Sequence, residues 1–129
     1  MKKNLLFLIG IGLMTLVLTG AVSAQYNQTE KRINVVSGKK LIIKGAVRDT
    51  DEISYVFKAR AGQKLTVKVI GRDADFTIFA IHAFDAEQIA EDTQLWSKTL
   101  PDLVDGKCSI TVHSNYKVAD YRLEILLGK

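Results

Sequence analysis

The sequence predicts an all-β protein, an antiparallel jelly-roll-like β-sandwich of seven or eight strands. Two observations support this class. Short runs alternate apolar and polar residues, which places one face of each run in a core. Gly, Asp, Ser and Pro separate these runs at short intervals, as turns between strands do.

The chain begins with the pattern of a secretory signal peptide over residues 1–24. Lys2 and Lys3 precede a largely apolar stretch, which small residues end at Ala24. A membrane anchor is the alternative, but Gly and Thr residues interrupt a stretch already short for a span of about 20 residues. We therefore expect cleavage before Gln25, a periplasmic or secreted product, and no membrane association after cleavage.

Residues 25–32 are polar and are predicted to form a flexible leader, followed by a single domain over residues 33–129. The alternation in that domain predicts strands at 33–36, 40–44, 53–59, 63–70, 76–81, 95–97, 107–113 and 120–126. The strands at 53–59 and 63–70 meet at Gly62, which can take a positive φ without a Cβ penalty. They are predicted to form an antiparallel hairpin.

The later strands differ in their patterns. Residues 76–81 are apolar on both faces apart from Thr77, which predicts a central or covered strand and leaves both a monomer and a homodimer open. Residues 84–95 break the alternation. Asp85, with Gln88 three residues later, resembles a helix N-cap and predicts one or two helical turns.

Cys108 is the only cysteine, so an intrachain disulfide is excluded. It shares a strand face with Ile110 and Val112, which predicts a buried, inert thiol rather than a nucleophile. Trp96 is likewise predicted to be a core residue, with a sugar-stacking platform as the alternative. Charges of both signs are interspersed without a long basic block, so no nucleic-acid partner is expected.

Several motifs together resemble a known family. They are Tyr55-x-Phe57-x-Ala59, Gly62-Gln63-x-Leu65-x-Val67, Ala74-Asp75, Leu100-Pro101, Gly106-Lys107-Cys108-x-Ile110-x-Val112 and Tyr121-x-Leu123-x-Ile125. Their order and spacing resemble the bacterial pre-peptidase C-terminal-like sandwich and, within it, the small periplasmic inhibitors of g-type lysozyme. The resemblance implies a non-catalytic protein that blocks the substrate cleft of a g-type lysozyme. The alternative is a carbohydrate- or matrix-binding module of the pre-peptidase C-terminal type.

Polar loops at strand ends are the predicted partner-binding surface, since rigid strands that present Tyr and Arg on loops suit protein recognition. The candidate residues are Arg48, Ser114, Asn115, Tyr116 and Lys117. The sequence does not determine which loops lie together. A cationic or hydroxyl group from this set is expected to pair with the catalytic carboxylate of the lysozyme.

No catalytic residue, metal or cofactor is predicted. His82 and His113 each end a strand without a Ser, Cys or carboxylate at a diagnostic spacing, so both are interpreted as structural. Two acidic turns offer weak calcium candidates, because spaced oxygens suit a hard cation. These are Asp49, Asp51, Asp73 and Asp75. Neither turn has the full EF-hand spacing, and Asp is common in turns for local capping.

Overall fold

The computed structural model describes residues 27–82 and 85–129, and in them the chain forms nine strands and no helix. The strands are β1 (Asn27–Arg32), β2 (Leu41–Arg48), β3 (Asp51–Arg60), β4 (Lys64–Ile70), β5 (Ala74–Ile81), β6 (Ala86–Thr93), β7 (Leu95–Thr99), β8 (Asp105–Ser114) and β9 (Val118–Leu127). The described part accordingly contains no helical segment that could span a bilayer. The predicted signal peptide, 1–24, lies outside the described residues.

Two sheets form a sandwich. One has five strands in the order β1-β3-β8-β5-β6, and the other has four in the order β2-β9-β4-β7. All neighbouring strands are antiparallel except β1 and β3, which are parallel. The predicted all-β sandwich is confirmed, with nine strands in place of seven or eight.

The core lies between the sheets and follows the predicted alternation. Cys108, Ile110 and Val112 on β8 are fully buried, as are Leu123 and Ile125 on β9. Burial raises the pKa of the Cys108 thiol to about 11, so the nucleophilic thiolate is scarce at neutral pH. The prediction of a buried, inert cysteine agrees with this environment.

A hydrogen bond between two tyrosines crosses the core. The hydroxyl oxygens of Tyr55 on β3 and Tyr121 on β9 are 2.5 Å apart, which links the two sheets. Gly45 lies opposite Tyr121 in the β2–β9 ladder, and a Cβ there would lie 2.7 Å from the Tyr121 hydroxyl. The glycine therefore leaves room for the Tyr121 ring. Burial, and then the bond to Tyr55, raises the pKa of Tyr121.

The predicted hairpin between residues 53–59 and 63–70 is wrong. β3 pairs with β1 and β8, whereas β4 pairs with β7 and β9 in the other sheet. Gly62, with a φ of 89°, turns the chain from one sheet to the other. Alternating apolar and polar residues show only that one face of a strand is buried. Two consecutive strands show this pattern whether they pair in a hairpin or lie in different sheets.

Three further assignments of secondary structure change. The helical turns predicted after Asp85 are wrong within the described residues, because β6 occupies residues 86–93 and the Asp85 carboxylate accepts a hydrogen bond from the Ala86 amide at 2.7 Å. β1 was not predicted, and residues 33–36, predicted as a strand, have no regular structure. β1 and β6 form the two edges of the larger sheet and are mostly exposed, so neither has a clear apolar face.

Candidate functional site

Three connections meet at one end of the sandwich, which we call the loop end. They are residues 49–50 between β2 and β3, 71–73 between β4 and β5, and 115–117 between β8 and β9. The Asp49 amide donates to the Lys117 carbonyl at 3.1 Å, and the Asn115 amide donates to the Asp73 carbonyl at 2.7 Å. Backbone hydrogen bonds thus hold the three connections together as one surface.

Gln94, between β6 and β7, also stabilises the loop end. Its side-chain amide donates to the carbonyl of Gly71 at 3.1 Å and to that of Ala74 at 2.9 Å. Gly71 passes close to β9, since a Cβ there would lie 2.5 Å from the Asp120 carbonyl oxygen. The connection at 71–73 is therefore packed tightly between a neighbouring strand and the Gln94 side chain.

Two of the predicted partner-binding residues, Ser114 and Asn115, form hydrogen bonds within the loop end. The Ser114 hydroxyl donates to the Tyr116 carbonyl at 2.6 Å and accepts from the Tyr116 amide at 3.0 Å, which closes a tight turn. The Asn115 side-chain amide donates to Oδ2 of Asp75 at 2.9 Å. These hydrogen bonds hold the loop in place.

The other three predicted residues, Arg48, Tyr116 and Lys117, are exposed. Tyr116 is 60% exposed, a large fraction for an aromatic side chain. Arg48 faces Val118 across the β2–β9 ladder, directly beside the loop that carries Lys117. Neither Arg48 nor Lys117 forms an ion pair with any described residue. The loop end therefore presents an exposed tyrosine together with two cations that have no acidic partner among the described residues.

A groove of about 600 Å³ runs along the outer face of the five-stranded sheet, and we call it the sheet groove. Its lining includes side chains that point away from the core on β3, β5 and β8: Ser54, Thr77, Phe79, Ser109 and Thr111. The hydroxyls of Ser54 and Thr111 are 2.8 Å apart and hydrogen-bonded. Asp49 and Asn115 also line the groove, so it opens at the loop end.

Three ionisable side chains meet where the sheet groove reaches the loop end. Asp75 on β5 and His113 on β8 are direct cross-strand partners, with Oδ1 of Asp75 2.6 Å from Nδ1 of the imidazole. Nε2 of the same ring lies 3.0 Å from Oδ1 of Asp92 on β6. Sequence reasoning missed Asp92 because it lies in the segment predicted to be helical or irregular. Only the pairing of β6 with β5 brings it near His113.

Of the four calcium candidates, Asp75 alone belongs to a cluster of three potential ligands within the described residues. Asp51 accepts hydrogen bonds from the side chains of Asn27 at 3.2 Å and Thr50 at 3.3 Å. Oδ2 of Asp73 lies 3.9 Å from Nε of the neighbouring Arg72. Among the described residues, Asp49, Asp51 and Asp73 belong to no such cluster, and Asp51 and Asp73 make the local contacts that are common for Asp in turns.

Trp96 and His82 lie away from the loop end contacts. Trp96, on the edge strand β7, is half-buried and packs against the core. Nε2 of His82 is 3.5 Å from Oε1 of Glu87 on the neighbouring strand.

The chain matches no protein-family model and no curated protein. Solved structures do match it. Aeromonas hydrophila PliG, a periplasmic lysozyme inhibitor of g-type lysozyme, superposes with a TM-score of 0.61 and 26% identity over 78% of this chain and 98% of that chain. Salmonella Typhimurium PliG gives a TM-score of 0.59 and 23% identity over 77% and 97% of the two chains.

A second kind of domain also matches. The pre-peptidase C-terminal domain of a collagenase from Bacillus anthracis gives a TM-score of 0.50 and 15% identity, over 80% of this chain and 98% of that chain. At this identity the likeness concerns the fold alone. The structure of this chain is thus similar both to PliG inhibitors and to a pre-peptidase C-terminal domain, the two resemblances that its sequence motifs indicated.

Proposed function

We propose that this protein is an exported, non-catalytic inhibitor of g-type lysozyme. The observation that supports the proposal most is the similarity to Aeromonas hydrophila PliG, which extends over nearly all of that chain. Export would use the predicted signal peptide at residues 1–24 and deliver the protein to the periplasm or the exterior. There it would protect the cell wall from hydrolysis.

The loop end is the proposed contact surface. Tyr116 offers a large amphipathic side chain that can be buried at little conformational cost, the property of many interface hot spots. Ser114 and Asn115 hold its loop through the hydrogen bonds described above, so less ordering would be needed on binding. Tyr116 would therefore enter the substrate cleft as the central anchor.

The exposed cations beside Tyr116 supply the charge for cleft recognition. A glycosidase cleft contains carboxylates, and a charge-assisted hydrogen bond to one of them is stronger than a neutral bond. Arg48 and Lys117 have no acidic partner among the described residues, so neither must break an ion pair on binding. One of them would pair with the catalytic carboxylate and exclude the glycan.

An inhibition assay with a g-type and a hen-type lysozyme tests this function. We expect the protein to inhibit only the g-type enzyme, and Tyr116→Ala to weaken the inhibition at least about 10-fold, the loss typical of an interface hot spot. Lys117→Ala should weaken it less. Lys98→Ala is the matched control, because this exposed lysine lies on β7 and outside the loop end. An absence of inhibition with the wild-type protein in large excess would refute the proposal.

The sheet groove favours a second candidate, a carbohydrate-binding module. Hydroxyls from Ser54, Ser109 and Thr111 can donate and accept hydrogen bonds, and the partly exposed Phe79 offers a ring face. Pull-down on peptidoglycan, chitin and collagen separates the candidates. Retention that Phe79→Ala abolishes and Tyr116→Ala leaves intact would favour the module over the inhibitor.

A further inference from the structure

We propose that Asp75, Asp92 and His113 form a zinc-binding site at the end of the sheet groove. Each residue offers one donor atom, and these three atoms lie within 4.8 Å of one another. One imidazole nitrogen and two carboxylate oxygens are ligands that Zn²⁺ commonly takes in proteins. The site is independent of the proposed lysozyme inhibition.

The sheet brings the three ligands together from neighbouring strands. Asp75 and His113 face each other in the β5–β8 ladder. His113 and Thr77 line the sheet groove, and Asp75 lies two residues from Thr77 on β5, so Asp75 and His113 share the outer face of the sheet. Asp92 reaches them because the β5–β6 pairing shifts register between Phe76 and Ile78 and its own φ is 45°.

Neighbouring polar groups orient the two carboxylates. The Asn115 side-chain amide donates a hydrogen bond to Oδ2 of Asp75 at 2.9 Å. The other oxygen, Oδ1, is directed toward the His113 ring. The Thr77 hydroxyl accepts a hydrogen bond from the Asp92 amide at 3.3 Å and lies 3.5 Å from the Asp92 carboxylate. Bonds of this kind around a metal site fix the orientation of its ligands.

An independent observation concerns Oδ1 of Asp75. Asp75 is only 9% exposed, and among the described residues the polar contact recorded for this oxygen is Nδ1 of His113 at 2.6 Å. A buried carboxylate is unfavourable unless its charge is compensated, and a bound cation would compensate for it.

The ligand set favours zinc over calcium. Calcium takes six to eight oxygen ligands, whereas this cluster has three donors and one of them is nitrogen. With three protein ligands, the fourth position of a tetrahedral zinc would face the groove and hold water or a ligand. Cys108 cannot compete for the metal, because it is fully buried on the opposite face of β8.

Zinc titration of the purified protein by calorimetry and thermal unfolding tests the site. We expect one Zn²⁺ per chain and a Tm that rises with zinc and returns with chelator. Asp92→Asn and His113→Gln should each weaken binding at least about 10-fold. The Asp92 side chain is 60% exposed, so its replacement creates no core cavity. His82→Gln is the matched control, because the chain has only two histidines.

NMR spectra of the histidine rings locate the metal directly. Zinc should shift the ring signals of His113 and leave those of His82 unchanged. An unchanged Tm and no heat of binding for the wild-type protein would overturn the proposal, and would identify the cluster as a ring held between two carboxylates. Binding that His82→Gln abolishes and His113→Gln preserves would overturn it as well.

Discussion

The two ends of the sandwich differ in whether their large side chains face the core or the solvent. At the end opposite the loop end, which we call the corner end, residues 60–64 meet residues 100–104. The amides of Ala61 and Gly62 donate to the carbonyls of Val104 and Leu100, each at 3.0 Å. Gln63, only 6% exposed, accepts from the Arg60 amide at 2.9 Å through its side chain. At the loop end, by contrast, Tyr116 and its neighbouring cations face solvent.

This contrast separates residues that stabilise the fold from those of the proposed contact surface. The corner end satisfies its backbone groups internally and is filled by Leu100 and Val104, which are 2% and 1% exposed. A region with those properties contributes to the free energy of unfolding but offers little to a partner. The loop end has its backbone bonded and its long side chains exposed, as expected of a recognition surface on a rigid scaffold.

The largest expected effect is at the corner end. Leu100→Ala should lower the free energy of unfolding by about 2–5 kcal/mol, because it leaves a cavity in the core. Urea denaturation measures this. Leu95→Ala is the matched control, since Leu95 is 60% exposed on the neighbouring strand and should change stability by less than about 0.5 kcal/mol. If both variants lower the free energy of unfolding equally, Leu100 contributes no more to stability than an exposed leucine.

The sequence described the strands at the corner end well but misassigned their pairing. The alternation around Gly62 predicted which side chains of β3 and β4 are buried, and those of Phe57 and Val67 are. The partners of these strands are distant in sequence: Phe57 faces Cys108, and Val67 faces Ile125. Because local alternation contains no information on such partners, a turn within one sheet and a corner between two sheets give the same pattern.

At the loop end, the sequence indicated the exposed loops but not the position of Asp92. The ends of the predicted strands identified the segments that carry Arg48 and Tyr116, because loops between strands lie at the two ends of a sandwich. Asp92 could not be found in this way. Its strand β6 is a polar edge strand, so no apolar contrast indicated that it pairs with β5 or that a register shift brings its carboxylate to His113.

A smaller effect is expected for Gln63, which tests whether hydrogen bonds or packing stabilise the corner end. Its side-chain amide donates to the Gly128 carbonyl at 3.0 Å, in addition to accepting from the Arg60 amide. Gln63→Ala leaves both backbone groups without these partners and should cost about 1–3 kcal/mol of unfolding free energy. Gln88→Ala, at an exposed position on β6, is the matched control. If Gln63→Ala lowers the free energy of unfolding no more than Gln88→Ala does, water replaces the hydrogen bonds of Gln63.

The smallest effect on stability is expected at the loop end, which carries the proposed contact surface. Tyr116→Ala removes a side chain that is 60% exposed, and should change the free energy of unfolding by less than about 0.5 kcal/mol. The Ser114 turn is bonded to the backbone of residue 116, so the substitution should leave it intact. Urea denaturation checks the stability, and the lysozyme assay checks the loss of inhibition on the same sample. A loss of more than 1 kcal/mol would mean that the tyrosine supports the fold, and the contrast between the two ends would no longer hold.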